Sequence, residues 1–236
     1  MSKKSYTKEE IIDLLEKGIE DMSSLYKKPY INYKGETKGK ADERRLYYEI
    51  IAEYLLEHIN LFSEKNIKEI TRKQPHPQTH KPLTDEEKKE IEKQVRFEEW
   101  SARNLLGHNF AHIGIIREYQ YPLKGKKRQP GIGKIDLIAY KEELNKKSIL
   151  LSIIEFKRKD NKETLLRAIL EITTYYFQVD KKKLNETFPY SDIQKVVLIF
   201  KDSPLHQQYK SNLIKKLAAK LKVKVLVLDD NKVSRP

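Results

Sequence analysis

With 236 residues, 48 lysines and arginines against 35 acids, and no cysteine, the chain carries a formal net charge of +13. The missing cysteines exclude a disulfide framework and any thiolate metal site, and no apolar run approaches the ~20 residues that cross a bilayer. The cationic surplus favours an acidic polymer such as DNA or RNA, or an anionic surface, as partner.

The opening MSKKSYTKEE has no apolar core of a secretion signal, so a cytoplasmic protein with no membrane partner is expected. The length suits one domain with an appendage, or two small domains. Thr7 with Glu10 three residues on is a capping box, and Ile11, Ile12, Leu14, Leu15 and Ile19 predict a helix to about Tyr26. Pro29, Gly35 and Gly39 mark a loop. A second helix is expected over about 41–62, with Leu46, Ile50, Tyr54 and Leu55 at helical spacing. Its Tyr47, Tyr48 and Ile51 suit the core of a helical hairpin better than a base-stacking surface. A short helical piece over 64–72 follows.

The three prolines of RKQPHPQTHKP mark a linker. His76 and His80 inside it have no acid or cysteine nearby to complete a metal site. Thr84 with Glu87 is a second capping box, opening a helix predicted to reach about Leu106 through Ile91, Val95 and Trp100, with Gly107 as its stop. His108 and His112, between Gly107 and Gly114, read as neutral surface or core histidines. Residues 114–123 read as a strand. KGKKRQPGIGK after it is a basic loop in which Lys124, Lys126, Lys127 and Arg128, with Lys134, either guide a phosphate or form a plain turn. Gly131 and Gly133 are no dinucleotide fingerprint, because no helix follows them.

Two apolar runs, Ile135 to Tyr140 and Ile149 to Phe156, are joined by the polar KEELNKK and predict an antiparallel hairpin. Period-two alternation puts Glu155 and Lys157 on one face, close to Asp136, the lone acid of the partner run. Two carboxylates and an ammonium among Ile and Leu are costly to bury unless they pair or hold a metal. Either Glu155 and Lys157 form a strand-end salt bridge beside a solvated Asp136, or the three make a site. Beyond them, 164–179 predicts a helix, 194–200 a buried strand, 203–222 an amphipathic helix, and 224–230 a last strand. That order is α/β with a mixed central sheet.

In the sequence Asp136, then Glu155-Phe156-Lys157, residues of about 97–200 resemble the PD-(D/E)XK nuclease superfamily. Ile135 stands where the family name has proline. The resemblance implies a restriction-endonuclease-like core over 85–236: a mixed central sheet flanked by helices. A Pro-rich linker at 73–84 would join it to an N-terminal all-α accessory domain at 1–72. It also implies Mg²⁺, with Mn²⁺ as substitute, held by Asp136, Glu155 and the Phe156 carbonyl, since hard oxygen ligands suit that ion. Lys157 then acts electrostatically or in proton transfer, because a charged lysine is no ligand. A family acid on the preceding helix corresponds to Glu99 or to its neighbour Glu98. The Gln and Tyr that RecB-like members space four apart correspond to Glu171 and Tyr175, with Glu in place of Gln. Glu171 is alternatively a surface acid pairing with Arg167.

The expected function is therefore a metal-dependent endonuclease hydrolysing DNA phosphodiester bonds, of restriction, defence or repair type. A homodimer would supply two active sites for a double-strand cut, and the N-terminal helices are available for DNA, dimer or protein contacts. Two alternatives share the fold, and the second also shares the site. One is a non-catalytic nucleic-acid-binding or assembly module on the same fold; the other is an RNase or transposase-type end-cutting subunit.

Overall fold

The computed structural model describes residues 5–76, 81–92, 97–125, 132–143, 148–229 and 232–236. Its centre is a seven-stranded mixed sheet whose strands lie side by side in chain order. They are β1 (Asn109–Phe110), β2 (Gly114–Pro122), β3 (Lys134–Glu143), β4 (Ser148–Lys157), β5 (Asp192–Phe200), β6 (Val223–Asp229) and β7 (Lys232–Ser234). β1 to β4 run antiparallel, β4, β5 and β6 are parallel, and β7 turns back antiparallel. Parallel neighbours need a crossover. α5 (Leu165–Gln178) and α6 (Lys181–Thr187) occupy the first crossover, and α7 (Pro204–Gln208) and α8 (Asn212–Lys220) the second.

The sheet buries both faces. On one, Ile138, Ile153, Val197 and Val225 pack with Ile169 and Ile172 of α5 and Ile214 and Leu217 of α8. On the other, Leu137, Ile154, Phe156 and Leu198 pack with Ala102, Leu105 and Leu106, at and beyond the end of α4 (Phe97–Asn104). Strands covered on both faces read as continuous apolar runs, which is how 149–156 and 194–200 stand in the sequence. The N-terminal segment joins the α5 side. Ile11 and Leu15 of α1 (Lys8–Gly18) and Ile51 and Leu55 of α2 (Tyr47–Glu57) belong to the same apolar cluster as Ile138 and Ile153. The segment expected as an accessory domain thus shares its core with the sheet.

Several helices are shorter than the pattern predicts, each for a local reason. α1 has its capping box, with Thr7 N–H on Glu10 at 2.7 Å and Glu10 N–H on the Thr7 hydroxyl at 3.2 Å. It ends at Gly18, where a side chain would strike the buried Tyr30 hydroxyl, and 3-10 turns carry the chain on to Asn32. Asp21 takes the Ser23 amide and Ser24 hydroxyl, local bonds that compete with a helix, and Lys28 before Pro29 is extended. α2 starts only at Tyr47 because Leu46 is held in a bridge to Glu36. The helix expected over 64–72 does not form: Ile70 N–H bonds the Gln178 carbonyl at 2.7 Å and Arg72 N–H the Asp180 carboxylate at 2.9 Å. The helix expected over 203–222 divides into α7 and α8, with Ser211 between them bonded to Glu49 of α2 at 2.6 Å. The helix opened by Thr84 is α3 (Asp85–Glu92) and then α4; Val95 lies outside the described residues, as does His80. Among the described residues no helix is long and apolar enough to cross a membrane.

Candidate functional site

β3 and β4 stay in register from Glu143–Ser148 to Leu137–Ile154 and then part. β3 follows β2 instead, with Gln120 in the left-handed region at φ 55° between the Tyr119–Leu137 and Tyr121–Ile135 pairs. Asp136 and Glu155 are the first residues past the fork. One Asp136 carboxylate oxygen enters it and accepts the Phe156 N–H at 3.0 Å, where a ladder carbonyl would otherwise stand. Phe156 itself turns its ring to the α4 face, edge-on to Phe200. Glu155 and Lys157 project from the other face, opposite Val197 and Ile199 and towards α5.

Lys157 is the hub. Its ammonium lies 2.7 Å from Glu155, 2.6 Å from Glu163 and 3.4 Å from Glu171, with 7% of its side chain exposed. Glu163 sits just before Thr164, the residue whose hydroxyl caps α5 by accepting the Arg167 N–H at 3.2 Å. Glu171 lies two turns on. It accepts the Tyr175 hydroxyl at 2.8 Å, and Tyr175 in turn accepts from Tyr26 at 3.3 Å. Gly133 completes the wall, since a β-carbon there would stand 2.3 Å from the Tyr175 ring.

The charges are unbalanced. Burial drives the Glu155 carboxyl well above its ordinary range, Asp136 and Glu171 push it further, and Lys157 only partly opposes them. Burial alone would depress Lys157, but the negative charge of Glu155, Glu171, Glu163 and Asp136 holds its ammonium well above the usual lysine value. The second Glu155 oxygen, Oε2, is buried with no hydrogen-bond partner. A buried carboxylate oxygen without a donor is costly; a proton, which the raised carboxyl favours, or a hard cation would relieve it. Asp136 and Glu155, oxygen donors on adjacent strands, fit a divalent ion on this count. Among the described residues no group of three His, Cys, Asp or Glu side chains is already gathered for a metal, because three of the acids close on Lys157 instead.

The residues singled out by sequence divide as follows. Asp136, Glu155, Lys157, Glu171 and Tyr175 come together, and Phe156 contributes its N–H. Glu171 does not pair with Arg167, whose Nε forms an ion pair with Glu163 at 3.2 Å. Glu98 and Glu99 lie on α4, the helix of the opposite face, and their side chains lie outside the described residues. Lys124 is exposed after β2 and Lys134 opens β3, while Lys126, Lys127 and Arg128 lie outside the described residues. Sequence reasoning missed Glu163 and Tyr26. Glu163 carried one usable signal, an acid directly before a capping threonine; Tyr26 carried none, since 149 residues separate it from Tyr175. Comparison of the chain with protein-family models, curated proteins and solved structures finds no match.

Proposed function

We propose that the protein is a divalent-metal-dependent nuclease of the PD-(D/E)XK type, with a restriction-endonuclease-like core, that hydrolyses phosphodiester bonds in DNA. The observation that carries this reading is the fork of β3 and β4. It sets Asp136 beside Glu155, leaves Glu155 Oε2 buried without a donor, and puts an ammonium 2.7 Å from the other oxygen. Asp136 and Glu155 would hold Mg²⁺, or Mn²⁺ in its place. Bound there, the ion supplies Lewis acidity and neutralises charge building on the phosphate.

The chain's own residues do the rest. Lys157 Nζ keeps its protons at neutral pH because the surrounding carboxylates hold them. It therefore acts as a fixed positive charge and hydrogen-bond donor to the oxygens that gain charge in the transition state. Glu171 and Glu163 fix where that ammonium points. Arg158, paired with Asp160, and Lys159 follow Lys157 directly, Lys162 comes five residues after it, and Lys134 precedes Asp136 by two residues, so cations flank the acids along the chain where a polyanion would lie. The net charge of +13 supports the same substrate class. A homodimer would present two such sites for a double-strand cut.

The test is purified protein with plasmid DNA and Mg²⁺, beside Asp136→Ala and Lys157→Ala. The wild type is expected to cleave, and each variant to lose on the order of 10²-fold or more. Equal cleavage by all three would remove these residues from the reaction. Matched DNA and RNA duplexes decide the polymer. A second reading, a non-catalytic nucleic-acid-binding module, is favoured by the closing of three protein carboxylates around Lys157. That module would bind DNA but show no Mn²⁺ affinity.

A further inference from the structure

The N-terminal segment reaches the candidate site at two independent points. At the first, Tyr26, buried in the 3-10 turn Leu25–Lys27, donates its hydroxyl to Tyr175 at 3.3 Å, the rings edge to face at 5.7 Å. Tyr175 donates to Glu171 Oε1 at 2.8 Å, and the other oxygen of Glu171 lies 3.4 Å from Lys157. At the second, Asn32 accepts the Thr164 N–H on its side-chain oxygen at 2.6 Å, and the Ile31 carbonyl accepts the Thr164 hydroxyl at 2.8 Å. Thr164 is the cap of α5, and Glu163 immediately before it lies 2.6 Å from Lys157. Glu171 is therefore two hydrogen bonds from Tyr26, and Glu163 is the chain neighbour of Thr164, which Ile31 and Asn32 hold directly.

We infer that this segment is a positioning element of the site, with Tyr26 orienting Glu171 through Tyr175 and Asn32 orienting Glu163 through Thr164, so that Lys157 and the metal-holding acids keep their arrangement. The inference rests on the nuclease reading and assigns the N-terminal region a task within it. Packing alone does not account for the geometry: a phenyl ring at position 26 would fill the same space, but the buried hydroxyl chain ends on a carboxylate of the site. Partners that orient first-contact groups typically change metal affinity or activity by about 10–100-fold when removed.

The experiment uses the full chain with Tyr26→Phe and Asn32→Ala. Mn²⁺ binding is followed by calorimetry, plasmid cleavage is resolved into kcat and KM, and thermal unfolding is recorded in chelator. Tyr26→Phe is expected to keep its unfolding temperature and its KM for DNA, to lose about tenfold in kcat, and to bind Mn²⁺ more weakly by a similar factor. Asn32→Ala is expected to lose kcat and Mn²⁺ affinity by a similar factor through Glu163, with a fall in unfolding temperature because the Thr164 N–H loses its acceptor. Wild-type kcat and Mn²⁺ affinity in both variants overturn the positioning role. A loss of cleavage matched by a fall in unfolding temperature, with Mn²⁺ affinity intact, also overturns it, because that is a packing effect. A wild type that binds Mn²⁺ but cleaves no nucleic acid sinks the nuclease reading alone, and the Mn²⁺ comparison still decides the positioning. A wild type that does neither overturns both.

Discussion

Two lysines are buried on the same face of the same sheet, and their surroundings are opposite. Lys157 ends β4 among carboxylates, which hold its ammonium well above the ordinary lysine value against the pull of burial. Lys195, in β5 opposite Ile153 and Val223, lies over the rings of Tyr176 at 4.5 Å and Phe177 at 5.8 Å. Burial, with Lys222 and Lys181 adding repulsion, lowers it to about 8. Both side chains are nearly inaccessible, so burial does not distinguish them. Lys195 is the inert pattern, a stem packed on aromatics with its charge a burden. Lys157 is held charged by the carboxylates of Glu155, Glu163 and Glu171 around it, and under the proposed function that acidic surplus marks a site.

The comparison can be broken most severely at Lys157. Lys157→Met leaves Glu155, Glu163 and Glu171 facing one another with no cation between them, and is expected to cost about 3–5 kcal/mol in urea denaturation. An unchanged midpoint would show that the acids do not depend on the ammonium. Lys195→Met should act in the other direction. It removes a charge that the fold disfavours and is expected to raise stability at pH 7 by roughly 2–3 kcal/mol, with cleavage unchanged. The pH dependence sharpens the contrast. Because the folded value of Lys195 is depressed, the unfolded chain binds the extra proton as pH rises from about 8 towards the free-lysine value. The wild type therefore gains on Lys195→Met across that window, and the variant's advantage should shrink there. An advantage constant with pH would assign it to packing.

What the sequence disclosed follows from which interactions are local. The β3–β4 hairpin was legible because Ile135 to Tyr140 and Ile149 to Phe156 are apolar throughout except for Asp136, Ser152 and Glu155. The α/β class and mixed sheet follow from the order of such runs. β7 was not legible: three residues with one buried side chain, Val233, carry no periodicity. Helix lengths were over-read wherever the backbone spends its donors on distant partners, as at Ile70 on Gln178, Arg72 on Asp180, and Leu46 in its bridge to Glu36. The same limit applied to the site. Asp136, Glu155 and Lys157 announced themselves by spacing, and Glu171 and Tyr175 by resemblance. Tyr26 and Asn32 enter through tertiary contacts across more than 130 residues, which no window of sequence contains.

The central claim is that Asp136 and Glu155 share a divalent ion at the fork of β3 and β4, beside the Lys157 ammonium. A crystal structure determined after soaking in Mn²⁺, with data collected at the manganese edge, tests it most directly. The account predicts an anomalous peak between the two carboxylates with Lys157 adjacent. No peak there, or peaks only elsewhere on the molecule, would contradict it.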